Sequence, residues 1–201
     1  MIKLVYLLFA PGQAWDSIAT AQRNFLLVLF LNPLPLMALG IGAEAYSLSH
    51  WGLLSSDIVR AKPMLLSLDV AQKYALIRLC GDVAVLFFAA QLLNWIGDSF
   101  HLRTNYNDAF RVVAYSLGPV FCIGHALDGV PYVNTWICWT VGILLAIYLL
   151  YHGIGMVMKP DQTKGFGLFL CTSLLLIILT GAGNLIVQHL LKNKLLMGPA
   201  A

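Results

Sequence analysis

A chain of 201 residues that is 60% hydrophobic and only 10% charged, with a mean hydropathy of +0.81, is not a soluble globular domain, where about a quarter of residues are charged. Its net charge of +3 is spread over 12 Lys and Arg with no run of four, so it offers no nucleic-acid patch. The composition is that of an integral membrane protein with little mass outside the bilayer.

The N-terminal stretch places Lys3 before an apolar run, Leu4 to Ala10, then Pro11-Gly12. The run is barely long enough for a secretory h-region and no A-x-A site follows it. A short amphipathic helix at the membrane surface, ended by Pro11-Gly12, is expected.

A membrane helix needs about 20 predominantly apolar residues. Five windows qualify: about 25–45, 79–99, 109–130, 133–157 and 166–190. Residues 46–78 form a loop holding Arg60, Lys62, Pro63 and Lys73, in which Leu65, Leu68, Tyr74 and Leu76 permit a surface helix. The remaining breaks are tight: Phe100 to Asp108, Gly129-Val130-Pro131, and Lys159-Pro160-Asp161 through Gly165. Tight connections predict sequential antiparallel neighbours. The expected fold is all-α, a single compact bundle of five transmembrane helices with the interfacial helix in front.

Span one contains N-P-L-P at 32–35. Each proline removes a donor and clashes with the carbonyl four residues back, so a kink or break near Asn32 follows. It reads as a packing bend, because no second span repeats the pattern that paired broken helices show in transporters. In span three Ala114, Gly118, Cys122 and Ala126 recur every fourth residue, a small-residue stripe that lets helices approach closely in lipid. Gly142 and Ala146 repeat the spacing in span four. Span three is therefore the expected centre. At its mid-point Pro119 frees a carbonyl that Tyr115 or Ser116 is placed to satisfy.

The ionisable residues within the spans gather at one depth. Glu44 ends span one, Arg78 and Asp82 begin span two, His125 lies roughly 21 Å along span three at 1.5 Å per residue, and Asp128 is one turn further. All five fall in the outer third. Facing lipid they would cost a few kcal/mol each, so they are expected to face inward or pair, Arg78 with Asp82 at i, i+4. Two readings follow: a proton- or ion-handling cavity with His125 as its titratable member, or a neutralised network that fixes helix register. The second is preferred, since Glu44 and Asp128 can also reach the interface. His152 in span four reads as structural.

Orientation is close to a tie. With the N-terminus inside, Lys3, Arg23, Arg103, Arg111, Lys159 and Lys164 lie inside, and Arg60, Lys62, Lys73, Arg78, Lys192 and Lys194 lie outside. The short loops carry the most weight. There the inside holds Arg103, Arg111, Lys159 and Lys164 while the turn at 129–132 holds no cation, which favours an N-terminus inside and a C-terminus outside.

No phosphate loop, zinc helix or nucleophile elbow occurs. The G-x-G at Gly40 and Gly42 lies within a span without a preceding strand. Cys122 and His125 at i, i+3 make two ligands, not a metal site. The four cysteines, Cys80, Cys122, Cys138 and Cys171, sit in apolar segments and read as small packing residues. No cofactor, metal or catalytic residue is expected.

Three segments carry a resemblance. The stretch Tyr106 to Pro119, with Tyr106, Ala109, Tyr115, Ser116 and Pro119 in a Y-x-x-A-F then V-V-A-Y-S pattern, resembles the signature of the Yip-one family of Ypt-interacting membrane proteins. Pro11 and Trp15, in F-A-P-G-Q-A-W-D-S-I, look like that family's opening motif. Tyr151 and Gly153, in Y-L-L-Y-H-G, look like its fourth-span motif. Order and spacing fit over roughly residues 6–190. The resemblance implies five spans with a cytosolic N-terminus and no established catalytic residues. Eukaryotic members look like partners of Rab-type GTPases and carry long cytosolic N-terminal regions. Here the first span begins near residue 25, so no GTPase-binding arm is expected and the short prokaryotic members are the nearer match.

The expected function is non-enzymatic: a membrane-organising or partner-binding protein of a bacterial inner membrane, acting through lipid or helix–helix contacts with itself or another membrane protein. Trp15, Asp108, Arg111 and Tyr115 are placed to present a cytosolic surface or to anchor the fold, and the second role is preferred. The alternative is a transporter or channel for protons, ions or a small solute through Glu44, Asp82, His125 and Asp128.

Overall fold

Long apolar runs in lipid must satisfy their own backbone, and helices do so within one segment. The computed structural model describes residues 2–51, 67–102, 105–128, 130 and 133–192, and among them every regular element is helical. Among the described residues five helices are long and apolar enough to cross a membrane: Phe25–His50, Leu68–Ser99, Tyr106–Asp128, Thr135–Met158 and Lys164–Leu190, here called spans one to five. Ahead of them lie α1 (Ile2–Phe9) and α2 (Pro11–Ala21).

The front of the chain differs from expectation. Pro11 not only follows the first helix but starts a second. Its missing N–H falls where a helix has no partner for it, and its fixed φ suits the first turn. The single interfacial helix is thus a helical pair, seated on span four through Leu7, Trp15 and Ile18, all buried.

Span one breaks at Asn32, which leaves the helical region (φ −126°, ψ −75°), and Pro33 opens the second segment. Span two begins at Leu68, well before residue 79. Leu68, Tyr74 and Leu76 therefore belong to it and not to a separate surface helix. Its 32 residues come to roughly 48 Å, beyond a hydrocarbon core of about 30 Å, so its first turns project from the membrane. The rest of that loop, with Arg60, Lys62, Pro63 and Leu65, lies outside the described residues, as do Gly129, Pro131, Arg103 and Lys194 and the side chains of Lys3 and Lys192.

Span three is the core of the bundle. Ala109 to Phe121 are buried without interruption, and the helix packs on spans one, two and four. Span five breaks the sequential order, packing more extensively on span two than on span four. The small-residue stripe does not run the length of span three. After Pro119, residues Val120–Gly124 form a π-helical turn, whose wider winding rotates the last turn of the helix. Ala114 and Gly118 are buried, Cys122 is half-buried and Ala126 is exposed. The close approach falls instead to Gly142 of span four, where a Cβ would lie 3.0 Å from the Val120 Cα and 3.6 Å from the Gly124 Cα. Ser116 does not serve the carbonyl freed by Pro119. Its Oγ is buried without a hydrogen-bond partner.

Candidate functional site

Span one brings Glu44 to the site by close contact. Gly40, one turn earlier, lies so near span three that an added Cβ would be 2.1 Å from the Phe121 carbonyl oxygen and 3.0 Å from the His125 Cβ. Only glycine fits there. On span two, Tyr74, Arg78 and Asp82 are spaced at i, i+4 and i+8 and share one face. On span three the π-helical turn sets the direction of His125, which comes directly after it.

The side chains close around His125. Its Nε2 is 2.8 Å from Asp82 Oδ2 and its Nδ1 is 3.0 Å from Glu44 Oε2. The second is an ion-pair contact outside hydrogen-bond geometry, so Glu44 Oε2 accepts no hydrogen bond. The Tyr74 phenol donates to the other Glu44 oxygen. Arg78 Nε lies 3.8 Å from Asp82, too long for a hydrogen bond, while its terminal nitrogen donates to Asn184 Oδ1 of span five at 2.9 Å. Glu44, Tyr74, His125 and Asn184 are each 3% exposed and Arg78 is 7% exposed.

With a carboxylate oxygen within 3.0 Å of each ring nitrogen, hydrogen-bonded at Nε2 and in ion-pair contact at Nδ1, the surroundings suit a positively charged imidazolium. Two carboxylates then face one guanidinium and one imidazolium, and the formal charges cancel. Cancellation matters, because a buried unpaired charge costs several kcal/mol. Asp128, one turn beyond His125, stays half-buried at the edge. With Arg78, His125, Thr135, Trp139 and Asn184 it lines a space of about 10 Å³ for the centre of a water molecule, room for roughly one. Among the described residues no group of three or more His, Cys, Asp or Glu is arranged to hold a metal ion.

Glu44, Arg78, Asp82 and His125 thus meet, with Asp128 beside them. Sequence reading missed Tyr74 and Asn184. Tyr74 stands one turn before Arg78, and Asn184 one turn after Thr180, whose hydroxyl accepts from Trp139 Nε1 at 3.1 Å. Those spacings were the available signal.

A second convergence lies at the other end of the bundle. Trp15 is fully buried, its ring edge-on to Tyr115 with centroids 6.1 Å apart. A Cβ on Gly153 would come within 2.7 Å of the same indole. Arg111 bonds the Asn107 carbonyl at 3.2 Å and pairs with Asp108. Asn107 Oδ1 accepts from the Phe25 backbone N–H, fixing the start of span one. Tyr106 joins Phe25, Phe87 and Phe110 in an aromatic cluster with centroids 5.3–6.4 Å apart. Trp15, Arg111 and Tyr115 are buried and present no surface; Asp108 alone of the four is partly open. Tyr151 faces outward, edge-on to Phe169 and His152.

The three segments that carry the family pattern therefore meet in space, across some 140 residues of chain. A family model for the Yip1 domain matches residues 5–183. The chain belongs to the Yip1 domain family. No curated protein and no solved structure matches it. The match covers both Yip1 convergences, from Trp15 through Gly153 and from Glu44 through His125, and closes just short of Asn184. Yip1-domain proteins are membrane proteins not known as enzymes.

Proposed function

We propose that this Yip1 protein is a non-enzymatic membrane component that acts through helix–helix or lipid contacts, organising the membrane or binding another membrane protein or a second copy of itself. It would reside in a bacterial inner membrane with its N-terminus in the cytoplasm. The supporting observation is the state of the interior. Charged side chains from spans one to three balance one another, Asn184 of span five binds the arginine, and the space beside Asp128 admits about one water molecule. That arrangement suits a lock on helix register better than a passage for solutes. The outward faces of spans two and five, with Phe88, Leu170, Leu174 and Ile178 exposed, are apolar and available to lipid or a partner helix.

Proteoliposome flux tests the reading. Purified protein is expected to carry no pH-dependent proton or ion flux, and His125→Ala is expected to change nothing in that assay. A pH-dependent flux lost in His125→Ala would replace the proposal with the transporter reading. Cross-linking in native membranes is expected to capture a reproducible partner or a second copy, and recovery of neither would count against a contact-based role.

A further inference from the structure

Two of the buried residues around Asp128 carry an N–H without a hydrogen-bond partner: Asn184 at Nδ2 and Arg78 at Nε. Both side chains are more than nine-tenths buried, so bulk water does not serve them. Leaving such a group unbonded is costly, because its desolvation is not repaid. Both residues line the small space that Asp128, His125 and Thr135 also line. Its size, about 10 Å³ for a water centre, matches a single water molecule.

The chemistry of the walls selects the occupant. Two N–H donors call for an acceptor, which a metal cation is not, and the guanidinium would repel that cation. A small anion would accept from both donors but meet the Asp128 carboxylate. A water molecule accepts twice and donates to a carboxylate or hydroxyl oxygen, so it alone suits every wall. We infer that one ordered water bridges Asn184, Arg78 and Asp128, a binding site distinct from the Glu44–His125–Asp82 contacts. The bridge makes Asp128 the rim member of a network that reaches span four through Thr135 and so joins all five helices. It holds whether the bundle is a scaffold or a transporter.

Gly124 lines the same space, and a Cβ there would meet nothing nearer than the Cys138 carbonyl oxygen at 3.8 Å. Gly124→Ala therefore adds a methyl group without a clash. In a dry space the methyl fills a void and improves helix propensity, raising the thermal midpoint of the full chain in nanodiscs. With a bridging water it displaces that water and strands two buried donors, lowering the midpoint. A downward shift is expected; a rise or no change overturns the site. Should the variant fail to fold, solid-state NMR of the unaltered chain labelled at the Asn184 amide decides. Magnetisation transfer from bound water to that amide is expected, and its absence overturns the inference.

Discussion

His125 stands between two carboxylates, so its removal leaves Glu44 and Asp82 across a gap with only Arg78 to offset them. A single interhelical hydrogen bond in a membrane protein contributes about 0.6 kcal/mol on average. Breaking a buried ionic group by deleting one member costs about 3–5 kcal/mol. His125→Ala is therefore expected to lose about 3–5 kcal/mol in a denaturant titration of the detergent-solubilised protein. Asp69→Asn, which breaks an exposed pair with Lys73, is expected to lose about 0–1 kcal/mol. Equal losses would show that the cluster is no tighter than a surface pair. At this scale the sequence is legible where charge makes a residue conspicuous. Glu44, Arg78, Asp82, His125 and Asp128 stand out because ionisable groups are rare within spans. Tyr74 and Asn184 do not, being uncharged types that occur at interfaces and in spans alike. Tyr74 was hidden further by its assignment to a loop, since Asp69, Lys73 and Arg78 lower the hydropathy of the eleven residues by which span two exceeds its hydropathy window.

Elements show where periodicity informs and where it misleads. The every-fourth-residue pattern locates Ala114 and Gly118 correctly in the interior, but it presumes about 3.6 residues per turn throughout. The π-helical turn after Pro119 breaks that assumption, and the close approaches to span three are made by Gly142 of span four and Gly40 of span one. Gly40→Ala would force a methyl against a backbone oxygen that cannot rotate away, so spans one and three must part. A loss of about 1–3 kcal/mol is expected, typical of overpacking. Gly42→Ala, with nothing within 4 Å of the added Cβ, is expected to stay within about 0.5 kcal/mol of the parent. Similar losses for both in the same denaturant titration would remove the argument from close approach. The N-terminal pair of helices makes the parallel case. Trp15 is sealed by Tyr115 and Gly153, so Trp15→Ala is expected to cost about 3–5 kcal/mol, as large aromatic truncations in cores do. Phe9→Ala, at an 86% exposed position, is expected to leave the thermal midpoint unchanged. If Trp15→Ala also left it unchanged, the helical pair would not be docked through that ring. The resemblance identified Trp15 and Gly153 separately; only the fold shows that one residue is small because the other is large.

For the whole molecule, hydropathy made the number and order of spans readable, because lipid imposes the same demand on every crossing segment. Packing order was less readable. Span five turns toward span two because Asn184 binds Arg78 and Gly183 lies against Val85, interactions between residues about 100 positions apart. The helix boundaries leave the cation count on the two sides even. Arg78 and Arg111, one from each side, are buried within spans rather than held in loops, which turns six cations against six into five against five. The positive-inside rule counts cations in short loops near span ends and gives little weight to acids, so the Asp69 partner of Lys73 does not alter the comparison. Orientation is therefore decided by the short loops, where Arg103, Lys159 and Lys164 lie on the side of the N-terminus and the turn at 129–132 holds no cation. Reporter fusions are therefore expected to place the N-terminus in the cytoplasm and the C-terminus across the membrane. Two termini reporting one compartment would contradict five crossings, while opposite compartments in the reverse sense would keep the bundle and invert the side on which Glu44, Asp82, His125 and Asp128 lie.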